Sequence, residues 1–564
     1  EMISFTQASG AVQFSEPGDS DMELMFNTAE RPGTATISVT AAGGGEKASY
    51  SLTVPVRSPN PPDRRAETKA LQPGEKYEKS FVPFGLEGTS SVSVEIFSLP
   101  SVNLSRRLGY LTSFPHGCTE QITSAAFPQV YLPELVGSGL SDPGRVRYNV
   151  QEALRSIASR QIASGALTIW PGGRYPDDWV TSYAGHFALE AQKAGYTLPP
   201  RFLQKWTSYQ RKQASAWRYQ AQYRYTANDQ AYRLFTLALA GSPDRGAMNR
   251  MREITDLPSL ARWFLAAAYA TTGRTEVAQT LIDVRNLKTE EEYVHYYYGS
   301  NLRDQSIILY TLTQLGNHAE ALNVLKEVAE SLSRNSWYST QTTAWGLFAY
   351  MNFAKAVKDD SSKGMKASLE FNGSSERLSA DGGAILRSFT PAASNRLVVE
   401  NESEKPLFVT VTEEGVPSVA DMTVKENNLS MKVAWLDMEN NTVDVTSLAQ
   451  GTSFMMAVDV TNTTFRNIDN LALTQMVPSG WEIQNTRLFE AGLQVKESAY
   501  DYRDFRDDRV YTYFGLRSGE SKKFFIILTA SYRGTYSMPA VVCEALYDES
   551  FSARRPGFPV EVRK

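Results

Sequence analysis

Cysteine is nearly missing from this sequence: its 564 residues contain two, Cys118 and Cys543. Two thiols exclude a disulfide framework and a cysteine-rich metal site. They leave the compartment open, since many envelope proteins also lack disulfides. Histidine is as scarce, with four residues scattered along the chain. No two stand at ligand spacing, so neither a metal site nor another cofactor is expected. Apolar runs long enough to span a bilayer are absent. So is an excess of positive charge: the formal net charge of −5 argues against a nucleic-acid partner. The start, Glu1-Met2-Ile3-Ser4-Phe5, has no charged n-region followed by an apolar stretch. It reads as the interior of a longer chain, and a signal peptide or lipid anchor, if the protein has one, would lie on upstream residues.

The length is too great for one core and suggests roughly three to five domains. Three regimes follow one another. Up to about residue 105 the pattern is strand-like. Val92, Val94 and Ile96 alternate with Ser93 and Glu95, and Gly43-Gly44-Gly45 and Pro59-Asn60-Pro61-Pro62 punctuate the stretch. The second cluster reads as a linker between β-modules. From about 106 to 357 the unit becomes an apolar-periodic segment ended by glycine: Tyr183 to Gly195, Gln230 to Gly241, Leu260 to Gly273 and Ile307 to Gly316. Roughly eleven or twelve helices are expected. Ala267–Ile282 and Tyr310–Leu325 resemble single helical-repeat units, but the stopping glycines are unequally spaced. That disfavours a regular solenoid and suits helical hairpins closing into an α/α toroid. From about 358 strands return. Leu407, Val409 and Val411 alternate with Phe408 and Thr410, and Phe454–Val460 and Lys523–Leu528 read as buried strands. A β, long α, β order means either separate domains or a helical domain inserted into a β-module.

Chemistry concentrates in residues 114–121, Phe-Pro-His-Gly-Cys-Thr-Glu-Gln. Side chains three apart in a helical turn share a face. Cys118 and Gln121 can therefore be joined: the sulfur displaces ammonia from the amide and leaves a thioester. Gly117 supplies backbone freedom before the turn. A thiolate is a far better leaving group than an amide nitrogen, so an amine, a hydroxyl or water can attack the Gln121 carbonyl. Such a bond survives only under a shield. The bland alternative is a lone buried cysteine acting as a small hydrophobe.

Pro115-His116-Gly117-Cys118-Thr119-Glu120-Gln121 resembles the thioester signature of the α2-macroglobulin and complement superfamily. Further segments resemble the bacterial α2-macroglobulins in the same order: Trp170-Pro-Gly-Gly with Val180-Thr-Ser-Tyr183 and Ala191–Tyr196, then Tyr298–Asp304, Ser339–Trp345 and Arg503–Arg509, with Met538-Pro539 and Ala545-Leu-Tyr547-Asp548 beyond. The resemblance implies the C-terminal part of such a protein. Residues 1–57 would end a macroglobulin-like β-sandwich, and 58–105 and 358–422 would be halves of a CUB-like β-module. Between them, 106–357 would be an α/α-toroid thioester domain, and 423–564 the last macroglobulin-like sandwich. It also implies a single-use covalent protease inhibitor rather than an enzyme. Its bond would capture lysine amines of proteases after cleavage of a bait. The bait would lie with the missing N-terminal macroglobulin domains, so this chain alone is expected not to inhibit. The location implied is periplasm or cell envelope, with possible lipid anchoring and a role in bacterial defence.

Around Cys118 and Gln121, the candidate environment is Tyr110, Phe114, His116, Glu120, Trp170 and His295, with Tyr296–Tyr298 as further shields. His116 stands where the family often has Tyr and reads as a packing substitution. His295 is the one stand-in for the histidine that relays the acyl group in hydroxyl-preferring relatives, so amines are the expected acceptors. His186 and His318 read as structural. The alternating charges of Arg503–Arg509 read as a solvated ion-pair network, and Cys543 as an inert buried thiol. Two other functions compete. One is an opsonin-like or adhesive protein using the same bond to tag surfaces. The other is an α/α-toroid hydrolase or lyase, which needs acids such as Asp177, Asp178 and Glu290-Glu291-Glu292 brought together.

Overall fold

A computed structural model describes the chain except residues 1, 21, 30, 59, 61, 114–116, 137–141, 285–297, 299, 335, 358–364, 381–382, 418–421 and 485–496. The first 57 residues hold two small antiparallel pairings. Ile3–Phe5 lies on Phe26–Thr28, and Gly33–Gly43 on Glu46–Val56. The long hairpin turns at Gly44 and Gly45, both with positive φ (58° and 86°), as a tight hairpin turn requires. Ile3 and Ala35 are its buried hydrophobics among the described residues, while Phe14, Phe26, Tyr50 and Leu52 are exposed. Among the described residues this segment holds these two two-stranded sheets.

Two four-stranded sheets follow, and both mix residues from either side of the helical region. One has the order Ala384–Phe389, Ser91–Phe97, Leu407–Gly415, Asp63–Leu71. The other runs Lys76–Phe81, Asn395–Asn401, Lys366–Phe371, Ser374–Ser379. Val94 and Ile96 sit directly opposite Val411 and Val409. Alternation puts one face of each strand inward, so Val92, Val94, Ile96, Leu397, Val399, Val409 and Val411 share one core. The helical stretch thus interrupts a single β-sandwich.

That stretch holds thirteen α-helices among the described residues, from Leu104–Ser113 to Thr340–Ala356. The excess over the eleven or twelve expected comes from short pieces such as Leu132–Val136 and Thr275–Leu281, too brief to show a period. All four stopping glycines are left-handed, with φ of 88°, 67°, 74° and 75° at Gly195, Gly241, Gly273 and Gly316. Each closes its helix alike. At the first, Gly195 N–H donates to Gln192 O and Tyr196 N–H to Ala191 O, both 3.0 Å, satisfying carbonyls the helix end leaves open. His318 opens the helix His318–Ser333 rather than lying in a turn.

Six helices pack in a closed ring: Thr119–Ala126, Asp178–Lys193, Thr226–Leu239, Ser259–Thr271, Asn301–Gln314 and Thr340–Ala356, the last returning to the first. Such helices are enclosed on most sides, which is why Thr340–Ala356 lacks a polar stripe. Phe127, Tyr232, Phe235, Tyr310, Trp345 and Phe348 fill the centre around His186. Burial pushes the imidazole down to about 3, so it is neutral at physiological pH. Outer helices such as Phe202–Ala216 brace the ring. Gly185 lets them approach, since a Cβ there would lie 2.2 Å from the Trp206 ring.

Residues 425–563 form the last sandwich. Its four-stranded sheet is Leu429–Leu436, Ser453–Asn462, Ser521–Ala530, Trp481–Ile483. Its six-stranded sheet runs Lys425–Asn427, Ser552–Arg555, Val541–Ala545, Ile468–Met476, Arg509–Leu516, Tyr502–Phe505. The Tyr502 edge and the loop after Ala545 meet the helical ring where its first helix begins.

Candidate functional site

The eight-residue helix Thr119–Ala126 begins at Cys118, whose extended backbone (φ −69°, ψ 166°) makes it the N-cap. A serine or threonine cap commonly pairs with Gln or Glu three residues on, each side chain bonding the other's backbone N–H. Cys118 and Gln121 fill those two positions. Cys118 N–H donates to Gln121 Oε1 at 3.0 Å, and the sulfur takes the Gln121 N–H. The thiol and the carboxamide are thereby folded onto each other across one turn. Thr119 anchors the turn. Its N–H donates to Ile169 O at 2.8 Å, its hydroxyl donates to Thr168 O, and Arg160 donates to that hydroxyl at 3.2 Å. A Cβ at Gly117 meets nothing among the described residues and its φ is not left-handed, so the backbone freedom expected there is not used.

Both side chains are buried, each with 2% of its surface exposed. Burial is the largest cause that pushes the Cys118 thiol up to about 12, with the Glu120 charge adding to it. Among the described residues the amide is held by its oxygen: Gln121 Nε2 is buried without a hydrogen-bond partner there. An amide nitrogen so placed costs about 1–3 kcal/mol.

Glu120, between the two, is fully buried and well supplied with donors. Ser124 Oγ donates to Oε1 at 2.5 Å, Thr340 Oγ1 to Oε2 at 2.9 Å, and Tyr547 OH to Oε2 at 2.7 Å. Burial outweighs these bonds and raises its pKa. Tyr547 comes from the last sandwich, and its hydroxyl also lies 3.7 Å from Cys118 Sγ. Tyr298 holds it from the side, edge to face at 4.8 Å, while donating to Asp177 Oδ2 at 3.0 Å. Tyr298 does so with φ 55°, a left-handed backbone that is rare for an aromatic residue and carries strain. Trp170 closes another side, stacked on Tyr502 at 4.8 Å and against Tyr513 at 4.1 Å.

Of the candidate residues, Cys118, Gln121 and Glu120 come together. Tyr110 lies close enough for the Glu120 charge to raise its pKa further. Trp170 sits in the aromatic wall that the last sandwich completes. Phe114, His116 and His295 lie outside the described residues, as do Tyr296 and Tyr297. Tyr547, Tyr502, Tyr513 and Arg160 were not singled out. Tyr547 sits inside a quoted motif and Tyr502 borders one, but no local pattern aims a strand loop at a helix over 400 residues away.

One expectation needs narrowing. Arg506 and Arg509 pair with Asp504 and Asp508 in partly exposed contacts, but the Arg503 side chain is 4% exposed and paired with Glu497 at 2.6 Å. The acids a hydrolase would need make separate contacts. Asp177 caps its helix at Val180 N–H and accepts from Tyr298, whereas Asp178 pairs with Arg233 at 2.9 Å. Glu290–Glu292 lie outside the described residues. Among the described residues no group of three or more His, Cys, Asp or Glu is placed to hold a metal, and no helix is long and apolar enough to cross a membrane.

Residues 429–550 match the family described as Bacterial Alpha-2-macroglobulin MG10 domain. An alpha-2-macroglobulin of Xylella fastidiosa is 23% identical over 96% of this chain, which spans 35% of that protein's length. The chain therefore covers about a third of such relatives. The crystal structure of native Escherichia coli alpha-2-macroglobulin from domain MG7 to the C-terminus has a TM-score of 0.83 and 20% identity. It covers all of this chain and 93% of its own. Salmonella alpha-2-macroglobulin reacted with methylamine gives 0.82 and 22% over the whole chain and 38% of its own.

Proposed function

We propose that this chain, a homologue of the bacterial alpha-2-macroglobulins, carries an internal thioester between Cys118 Sγ and Gln121 Cδ and serves as the covalent-capture part of a protease-trapping inhibitor. The observation that carries the reading is the buried cap at Cys118. It brings a thiol to the same helix end as an amide whose oxygen is held and whose nitrogen has no partner among the described residues. Closing the bond expels that nitrogen as ammonia and removes its burial cost. The Cys118 N–H, at the positive end of a helix, also faces the oxygen on which charge develops during attack. Tyr547, Tyr298, Trp170, Tyr502 and Tyr513 act as the cover that keeps water out.

In this reading the ring of helices is the α/α-toroid thioester domain, the interrupted sandwich is the CUB-like module, and a protease lysine amine is the acceptor. The protein is a single-use inhibitor, since nothing restores the bond after capture. It works in the periplasm or cell envelope, joined to upstream macroglobulin domains that carry the bait. The test is intact mass, followed by competition between methylamine and glycerol. The chain is expected to weigh one ammonia less than its sequence and to take methylamine in preference to glycerol. A full-mass chain with an unmodified Gln121 amide contradicts the bond. Dominant glycerol ester favours surface tagging over protease capture.

A further inference from the structure

We propose that Tyr547 and Glu120 form a proton relay that serves the Cys118 sulfur, so that the last sandwich supplies a catalytic group to bond formation as well as a cover. The inference rests on the thioester reading above and goes one step beyond it. A cover needs only an apolar ring. Tyr547 instead places a hydroxyl 3.7 Å from Cys118 Sγ and donates to Glu120 Oε2 at 2.7 Å, making a sulfur–hydroxyl–carboxylate line across the interface. The line is held from outside. Ser124 and Thr340 fix the two Glu120 oxygens, and strained Tyr298 seats the Tyr547 ring.

The need for a base follows from the burial of the thiol. Burial pushes the thiol up and so disfavours the thiolate, the nucleophilic form, at neutral pH. Among the described residues no imidazole contacts the sulfur. A carboxylate whose pKa is raised by burial accepts a proton more readily than an ordinary one.

The step balances as follows. Cys118 S–H gives its proton to the Tyr547 oxygen while the Tyr547 proton passes to the Glu120 carboxylate. The sulfur bonds to Gln121 Cδ, and the C=O electrons move onto Oε1, which the Cys118 N–H receives. Collapse restores the C=O and breaks the Cδ–Nε2 bond. The proton returns from Glu120 through Tyr547 to the departing nitrogen, which leaves as ammonia. Tyr547 and Glu120 end as they began, and no outside reagent is needed. Run backwards with an incoming amine, the same line protonates the leaving sulfur.

The experiment opens the bond with ammonium, which regenerates the Gln121 amide, removes the salt, and follows re-closure by loss of one ammonia in the intact mass. Tyr547→Phe keeps the ring and removes the hydroxyl, and Glu120→Gln keeps the shape and removes the base. Each is expected to close about 10²-fold more slowly, and the double variant no more slowly than either. Closure in the parent is expected to slow as pH falls through the raised Glu120 pKa, and Glu120→Gln to lack that dependence. Among the described residues the titratable groups facing Glu120 are Cys118, Tyr110, Tyr183, Tyr298 and Tyr547, all neutral over that range, with Arg160 across the thiol. Hydrolysis of closed Tyr547→Phe should be no faster than in the parent, because the cover remains. Re-closure of Tyr547→Phe at the parent rate overturns the relay and leaves the thioester reading intact. A parent chain that never loses ammonia overturns both.

Discussion

Cys118 and Cys543 are both buried, and burial raises both thiols, yet their surroundings differ in every respect that bears on chemistry. Cys543 stands mid-strand between Leu473 and Ala553, inside an apolar core with Leu473 and Phe514. Beyond burial, the neighbouring Glu544 charge raises its thiol further. Cys118 caps a helix, exchanges bonds with an amide one turn away, and has a phenol and a buried carboxyl beside it. Burial alone makes a thiol inert. What would distinguish a reactive one, in the reading proposed above, is the company of an electrophile and a route for its proton.

That contrast can be broken in graded ways. Cys118→Ala should lose all incorporation of methylamine at Gln121, whereas Cys543→Ala should retain it at the parent level; intact mass after amine treatment reads both. An effect of Cys543→Ala on incorporation as large as that of Cys118→Ala would erase the difference. Tyr547→Ala removes ring and hydroxyl together. The closed bond is expected to hydrolyse at least about tenfold faster in neutral buffer, equivalent to about 1.4 kcal/mol of barrier, as followed by mass gain over time. An unchanged lifetime would mean that the last sandwich does not guard the site. The smallest effect is on stability. Cys543→Ala leaves a small void in the sandwich core and should cost about 1 kcal/mol. A urea titration of the last sandwich by tryptophan fluorescence checks this, since Trp435 and Trp481 pack together on Phe454 in that core.

The two regions were also unequally legible. Strand alternation around Val94 and Val411 and the four stopping glycines are local signals, and each has its expected backbone. The helix end is decided within six residues, so the glycine alone announces it. Cys118 and Gln121 stood out through a family resemblance, although the cap grammar of Cys-x-x-Gln was available from the residues. Tyr547, Tyr502 and Tyr513 were not legible as a cover. Their role depends on how a sandwich docks against a ring of helices, and a contact between residues 118 and 547 leaves no period in either segment. Arg503 departs for the same reason: a charge-rich run looks solvated until the fold turns one member inward.

The central claim is that Cys118 alone is joined to Gln121. The direct measurement is peptide mapping of the native chain after treatment with methylamine and a thiol-alkylating reagent together. The account predicts N-methylated Gln121 and alkylated Cys118 in equal amounts, Cys543 unlabelled until denaturant is added, and no alkylation of Cys118 when the amine is omitted. Cys118 alkylated without amine, beside an unmodified Gln121 amide, would contradict it.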